Sequence, residues 1–212
     1  TASFDETAFV RFQQEAQAIA RLQHPNILQV YDFDRAEDGR YFMVTEYFRN
    51  GDLQRQLDWL EVRGDRYTIA QAVYIVKAVV TALRHAHSHG IIHRDIKPAN
   101  IFVDGPTRVV VGDFGLAKLR RGQSEISTTG QLVGTPAYMS PEQCRSAKDL
   151  SPASDQYSLA IVLYEMITGR TPFLAETPIA VILMQLNDPL PLPRSLCPDL
   201  PEAVERVILK AL

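Results

Sequence analysis

The sequence predicts an α+β domain, on three observations: two β-rich runs near its start, helix-period apolar stripes through most of the rest, and short apolar strands that end in polar loops. Phe9, Phe12, Ala16, Ile19 and Leu22 recur at spacings of three and four. That spacing places an amphipathic helix from about Thr7 to Leu22, with Glu15 beside its apolar stripe and Pro25 ending it. Ile27 to Phe33 and Tyr41 to Tyr47 are strand-like and separated by a loop containing Asp38-Gly39, which reads as an antiparallel hairpin. An isolated hairpin is marginal in water, so this pair needs more sheet or a helix against it.

From Asn50 onward the pattern turns helical, with Val73, Val76, Val80 and Leu83 marking one buried face of a long helix that Gly90 terminates. Ile91-Ile92, Ile101 to Val103 and Val109 to Val111 read as short apolar strands, the last two joined by the Asp104-Gly105-Pro106 turn. Ser151-Pro152 is a good N-cap and first-position pair for a second helix, which runs through Leu159 to Ile167 and stops at Gly169. Its centre is apolar all round, the signature of a helix buried on most sides. Pro189 to Pro201 reads as a proline-rich loop leading to a last helix, Glu202 to Leu212, and no internal repeat is present.

Composition narrows the function classes. The chain has 212 residues, nearly half of them apolar (46%), enough for one compact domain. A net charge of -3 argues against nucleic acid or an anionic membrane as the main partner, because both leave a basic footprint. Cys144 and Cys197 are far apart, with no Cys-x-x-Cys pair and no His at metal-ligand spacing, so the reading is a reducing cytoplasm and no structural zinc. No apolar run is long enough to span a bilayer, and residues 1 to 20 lack a signal peptide's apolar centre; an anchor elsewhere in a longer chain stays open.

Two polar motifs follow strands: His93-Arg94-Asp95-Ile96-Lys97-Pro98-Ala99-Asn100 after Ile91, and Asp113-Phe114-Gly115 after Val109. Strand ends are where chemistry-bearing groups gather. A lone His-Arg-Asp carries little weight. Together with the Lys, the Asn, the Asp-Phe-Gly, and Gly134-Thr135-Pro136 through Ser140-Pro141-Glu142, it resembles the protein kinase family, in the form found in bacteria.

The resemblance implies a two-lobed fold: residues 1–48 as a partial small lobe with the Glu15 helix, two strands and a hinge, and 49–212 as a mainly helical large lobe. It implies transfer of the ATP γ-phosphoryl group, a reaction that needs Mg²⁺ on hard oxygen ligands and a group to position the attacking hydroxyl. In those terms Asp113 binds the Mg²⁺ that bridges the phosphates, Asn100 binds a second Mg²⁺, Asp95 accepts the substrate hydroxyl proton and Lys97 neutralises charge on the γ-phosphate. Lys97 in His-Arg-Asp-x-Lys-x-x-Asn, with Thr135 packing against the catalytic Asp and Lys, is similar to Ser/Thr kinases and unlike tyrosine kinases. Ser140, where most eukaryotic members have Ala, is familiar in bacterial relatives.

Adenine is expected at the hinge Glu46-Tyr47-Phe48, through the Glu46 carbonyl and the Phe48 N–H. Thr45 matches the gatekeeper, Asp52 the ribose contact and Phe102 the apolar contact beneath the base. Thr45 and Phe102 are equally ordinary strand residues. Arg94 is expected to pair with a phosphate that orders the activation segment, for which Ser127, Thr128 and Thr129 are the candidate sites. Asp155 matches the helix Asp that holds the catalytic-loop backbone, with an ordinary helix N-terminal Asp as the competing account.

The family's Gly-rich loop and ATP-binding Lys are absent from the sequence, and Glu15 matches that Lys's partner, so the reading is a domain truncated at both ends. Glu142 normally pairs with an Arg lying beyond Leu212. A buried carboxylate left alone costs on the order of 3–5 kcal/mol, so the fragment is expected to be marginal and weak as an enzyme. The implied partners are proteins bearing Ser or Thr and a second copy of the chain for trans-autophosphorylation. Two classes stay open, an active kinase and a catalytically dead kinase-like scaffold. Intact Asp95, Lys97, Asn100 and Asp113 favour the first.

Overall fold

The structure is a computed structural model that describes residues 22–36, 41–105, 108–114, 136–147 and 150–212. The expected Thr7–Leu22 helix with Glu15 (except Leu22), the Asp38-Gly39 turn, and Ser127, Thr128, Thr129 and Thr135 lie outside the described residues.

Strand β1 (Val30–Arg35) pairs antiparallel with β2 (Tyr41–Thr45), with Val30 opposite Thr45 and Phe33 opposite Met43. The expected hairpin is present, but β1 begins three residues later than its apolar run, because Ile27 pairs with Val111 instead. Leu28 N–H donates to the Val111 carbonyl (2.8 Å) and Val111 N–H to the Asn26 carbonyl (2.9 Å). Asn26 extends that stitch with its side chain: Nδ2 donates to Val109 O (2.8 Å), and Oδ1 accepts from Thr81 Oγ1 (3.0 Å). The hairpin is thereby tied to the helical part of the molecule, the support a two-stranded sheet needs.

Helix α1 (Leu53–Arg63) starts where Asp52 Oδ1 accepts from Arg55 N–H at 2.9 Å, and ends at Gly64, whose φ of 70° suits a residue without Cβ. Helix α2 (Ile69–Ser88) opens on a Thr68/Gln71 capping box and is followed by Gly90 at φ 74°. Its buried face is only partly the expected one, with Leu83 buried and Val76 half-buried. Ala72, Ile75, Val79, Ala82, Leu83 and Ala86 are buried, whereas Val73 is 42% and Val80 39% exposed. The two stripes lie about 100° apart on the helix. Reading apolar bulk favoured the valines, but the packed stripe is the one with alanines, which let α2 lie close against its neighbours.

Ile91-Ile92 is not a strand. Ile91 N–H bonds instead to Ala86 O, closing the end of α2, and farther on the N–H groups of His93 and Arg94 go to the Asp155 carboxylate. Strands β3 (Ile101–Asp104) and β4 (Arg108–Val111) form the expected second antiparallel pair, with Gly105 at φ 65° in the turn.

A short helix α3 (Pro141–Cys144) is capped by Ser140. Helix α4 (Pro152–Thr168) is capped by Ser151 and stopped by left-handed Gly169 (φ 83°). As its all-round apolar centre predicts, Leu159 to Tyr164, Met166 and Ile167 are buried. Ile161, Tyr164 and Met166 belong to one continuous core with Leu53, Ile75, Val79, Ile101 and Ile208. Each such side chain contributes roughly 1.5–3 kcal/mol on burial.

Like short α3, the next two helices were not anticipated. Helix α5 (Pro178–Asn187), capped by Thr177, buries Val181 and Gln185 while exposing Ile179 and Leu183, so its sequence carries no clear apolar stripe. Helix α6 (Pro193–Leu196) interrupts the proline-rich stretch, using Pro193 at its first position. Helix α7 (Glu202–Ala211) follows as expected. The architecture is α+β, and no helix among the described residues is long and apolar enough to cross a membrane.

Candidate active site

The segment from His93 to Asn100 has no ladder of its own, so its shape depends on what receives its polar groups. Asp155, in the first turn of α4 and 1% exposed, receives two of its N–H groups. Its Oδ2 accepts from His93 N–H (2.8 Å) and its Oδ1 from Arg94 N–H (2.8 Å). A carboxylate only accepts, so His87 Nε2, 2.7 Å from Oδ2, is the donor in that contact. His93 is fully buried, donates from Nε2 to the Gly112 carbonyl (2.8 Å) and accepts at Nδ1 from Asp95 N–H (3.3 Å). Its ring lies 4.5 Å from that of buried Phe114.

Two side chains fix the Asp95 carboxylate. Lys97 Nζ is 2.8 Å from Asp95 Oδ2, and the two side chains keep 17% and 30% exposure. Asn100 Nδ2 donates to the Asp95 carbonyl (2.7 Å) and to Oδ2 (3.1 Å). Both partners are acceptors, which assigns the Asn100 amide and leaves Oδ1 as its acceptor atom. Asn100 is itself set by a 3₁₀ turn at Pro98–Asn100, closed by Asn100 N–H to Lys97 O at 3.0 Å.

Asp113 is brought to the same loop through Gly112, whose N–H donates to Asn100 O (2.9 Å) and whose carbonyl takes the His93 bond. A Cβ at position 112 would fall 2.7 Å from Phe102 Cε2, so only glycine allows this approach. Asp113 is exposed between buried Gly112 and Phe114, at φ 57°. Arg94, at φ 70°, is the other left-handed residue of this site. Such conformations cost of order 1–3 kcal/mol each and persist where surrounding bonds over-determine them.

On the adenine side the candidates are more loosely arranged. The Glu46 carbonyl, expected to meet the base, accepts from Thr45 Oγ1 at 3.2 Å. The Glu46 carboxylate is 3.2 Å from Gln29 N and pairs with Arg108. Phe48 is buried with Leu28 and Val110, its ring 5.3 Å from that of Phe102, and Arg108 stacks on it at 4.9 Å. Asp52 caps α1, the plain structural account of that residue.

Glu142 requires a correction. It is half-buried but partnered, accepting from Ser154 Oγ at 2.5 Å at the start of α3. Burial pushes its carboxyl up, but hydrogen bonds from Ser154, its own N–H and Ser140, with Arg145 nearby, outweigh that and hold it below its ordinary value. The penalty expected for a lone buried carboxylate therefore does not apply. Arg94 is the converse case: its Nε is buried with no hydrogen-bond partner among the described residues.

Reading the motifs missed three residues. His93 was quoted only as part of its motif, and its burial and double hydrogen bond were not anticipated. His87 carried no signal beyond a position six residues upstream on α2. Gln143 follows the Ser-Pro-Glu run, is buried, and donates from Nε2 to the Arg94 carbonyl at 2.7 Å.

Mg²⁺ takes one or two protein oxygens and completes its shell with water and phosphate, so it needs no dedicated cage. Among the described residues no group of three or more His, Cys, Asp or Glu could hold a metal. The exposed Asp113 carboxylate and Asn100 Oδ1 are hard-oxygen donors of the kind such an ion accepts.

The model of the protein kinase domain family matches residues 2–204. Serine/threonine-protein kinase pkn3 of Myxococcus xanthus is 40% identical over 219 residues, covering 98% of this chain and 39% of that protein. PrkC of Bacillus subtilis is 38% identical, over 95% of this chain and 30% of its own length. PknB of Mycobacterium leprae is 37% identical, with 98% and 33% covered. The chain thus spans between 30% and 39% of the length of these relatives. Motifs, fold and similarity agree that the chain belongs to the protein kinase domain family.

Proposed function

We propose that this chain is the catalytic part of a Ser/Thr protein kinase, with residues 1–48 belonging to the small lobe and 49–212 to the large one. The observation that carries this reading is the Asp95 carboxylate, partly exposed yet fixed by Lys97 Nζ at 2.8 Å and Asn100 Nδ2 at 3.1 Å. Asp95 orients the substrate hydroxyl and takes its proton as the oxygen attacks the γ-phosphoryl group of ATP. Lys97, already beside that carboxylate, offsets charge on the group in transit. Asn100 does two jobs, steadying Asp95 through Nδ2 and offering Oδ1 to a metal ion. Asp113 offers its carboxylate to a second. Mg²⁺, when bound, would neutralise charge on the phosphates.

The adenine edge is the backbone of Glu46 to Phe48, with Thr45 as gatekeeper, Phe102 under the base and Asp52 at the ribose. The 3.2 Å bond from Thr45 to the Glu46 carbonyl leaves that oxygen a second lone pair for the base. Arg94 Nε, without a hydrogen-bond partner among the described residues, supports a phosphate on Ser127, Thr128 or Thr129 as its occupant, which would make activity depend on autophosphorylation, with a second copy of the chain as one donor. Protein Ser and Thr hydroxyls are the substrates and MgATP the phosphoryl donor.

The test is transfer of labelled phosphate from MgATP to a generic basic protein, and to the protein itself, by the full-length gene product. Asp95→Asn should slow the chemical step by roughly 10²–10⁴-fold. Asp113→Ala should abolish Mg²⁺-dependent transfer. Near wild-type transfer by either folded variant refutes these roles.

A further inference from the structure

We propose that Gln143 is a positioning residue for Asp95, through which the Pro136–Cys144 segment sets the aim of the catalytic carboxylate; the proposal rests on Asp95 being the catalytic base. The peptide group entering Asp95 is fixed at both ends. Its carbonyl, on Arg94, accepts from Gln143 Nε2 at 2.7 Å, and its N–H, on Asp95, donates to His93 Nδ1 at 3.3 Å. The residue before it is left-handed at φ 70°, a conformation that needs outside restraint in a non-glycine residue. Asp155 restrains the N–H of Arg94 and Gln143 its carbonyl, so the carboxamide is the only side chain among the described residues that grips that carbonyl.

Gln143 is equipped to do this. It is 6% exposed, and its Oε1 accepts from Ser140 N–H (3.0 Å) while its own N–H reaches Ser140 Oγ (3.4 Å). The amide admits one orientation, since Ser140 N–H requires an acceptor and Arg94 O requires a donor. Glutamate keeps an acceptor but supplies no donor for Arg94 O, and methionine supplies neither group. Pro141 fixes the entry to α3 between cap and glutamine. A displacement of Ser140 or α3 is therefore passed to the Arg94–Asp95 peptide through two hydrogen bonds. None of the roles given above to the catalytic loop assigns this link.

A glutamine on a neighbouring helix serves as the control. Gln185 on α5 is equally buried at 6%, donates from Nε2 to Ala137 O at 2.8 Å and accepts from the Tyr157 hydroxyl. Among the described residues it makes no hydrogen bond to the His93–Asn100 loop. Its loss removes the same kinds of buried bonds and leaves the Asp95 peptide alone.

The experiment compares Gln143→Met, Gln143→Glu, Gln185→Met and Asp95→Asn in the full-length gene product, by single-turnover phosphoryl transfer at saturating MgATP, with KM values and thermal stability alongside. Positioning predicts that both Gln143 variants lose about 10–100-fold in kcat while KM for ATP is little changed, as expected for a misaimed group. Gln185→Met should lose similar thermal stability with a smaller fall in kcat. The proposal is overturned if folded Gln143→Met keeps wild-type kcat, or if the two Met variants lose kcat to the same degree. Should Gln143→Met fail to fold, Gln143→Glu decides, because it retains the acceptor for Ser140 N–H; wild-type kcat in it overturns the proposal. If Asp95→Asn transfers phosphate at the wild-type rate, the base assignment has failed instead.

Discussion

The His93–Asn100 loop, proposed as catalytic, and the Thr45–Asp52 edge, proposed for adenine, carry similar residue types and treat them differently. In the loop, Asp155 accepts from His93, Arg94 and His87, groups 62, 61 and 68 residues away in sequence, and Gln143 reaches 49 residues back to Arg94. At the edge, Asp52 caps the helix that follows it, and Glu46 pairs with Arg108, which is as remote in sequence (62 residues) but exposed at the rim. Burial of the partners, not their distance in sequence, is the difference, and buried partners fix backbone that has no ladder of its own. Rim partners can exchange for a ligand. The contrast separates a stretch held by buried partners from one held at the exposed rim.

The sharpest way to break this comparison is Asp155→Ala. It would strand the buried N–H groups of His93 and Arg94 and the His87 ring N–H around an empty site. Breaking a buried network of this kind costs on the order of 3–5 kcal/mol, which should appear as a large fall in the urea midpoint. A cost under about 1 kcal/mol, the worth of one ordinary hydrogen bond, would mean the loop is held by packing and the contrast is empty.

How much of this was legible in the sequence follows the same division. The elements with strong local signals were readable: α4 from Ser151-Pro152 and its unbroken apolar centre, β3 and β4 from short apolar runs around a Gly-Pro turn, and the end of α2 from Gly90. Asp95, Lys97, Asn100 and Asp113 were readable as a motif, and the structure gathers them through Gly112. Interactions between distant segments were not. Nothing local marks Gln143 as a partner of Arg94, or His87 as a partner of Asp155. The α2 face was partly misread for a related reason, since the packed stripe is made partly of alanines whose value lies in the neighbour they admit. Helix α5 hid because it buries a glutamine and exposes Ile179 and Leu183.

Glu165 on α4 lies between the two extremes, a carboxylate that is mostly buried but faces other acids. Burial pushes it up the most; the Tyr138 hydroxyl, bonded at 2.7 Å, pulls it back, and Asp58 and Glu61 on α1 add to the rise, leaving it at about 7. An unfolded carboxyl titrates near 4.5. Below that value both states are protonated and the group contributes nothing. Between about 4.5 and 7 the folded state holds the extra proton, so stability falls as pH rises, and the full penalty applies above about 7. Glu165→Gln keeps an acceptor for Tyr138 and removes the charge. It should raise stability at pH 8 by on the order of 1–3 kcal/mol and change it little at pH 4. Equal effects at both pH values would show that folding does not raise the Glu165 carboxyl, whether by burial or by Asp58 and Glu61.

The smallest effect tests the rim. Asp52 has a structural duty, accepting from Arg55 N–H at 2.9 Å, and a proposed one toward the ribose hydroxyls. Asp52→Ala removes both, at a cost of about 1 kcal/mol for the lost cap. Asp52→Ser separates them, because serine caps a helix well but places no carboxylate at the rim. If the residue serves the nucleotide, Ala and Ser should raise KM for ATP alike while only Ala lowers the denaturation midpoint. If KM follows the midpoint, staying at the wild-type value in the Ser variant, Asp52 is a helix cap alone. The adenine edge would then owe nothing to it, and the contrast with Asp155 would lie between two structural carboxylates at different depths.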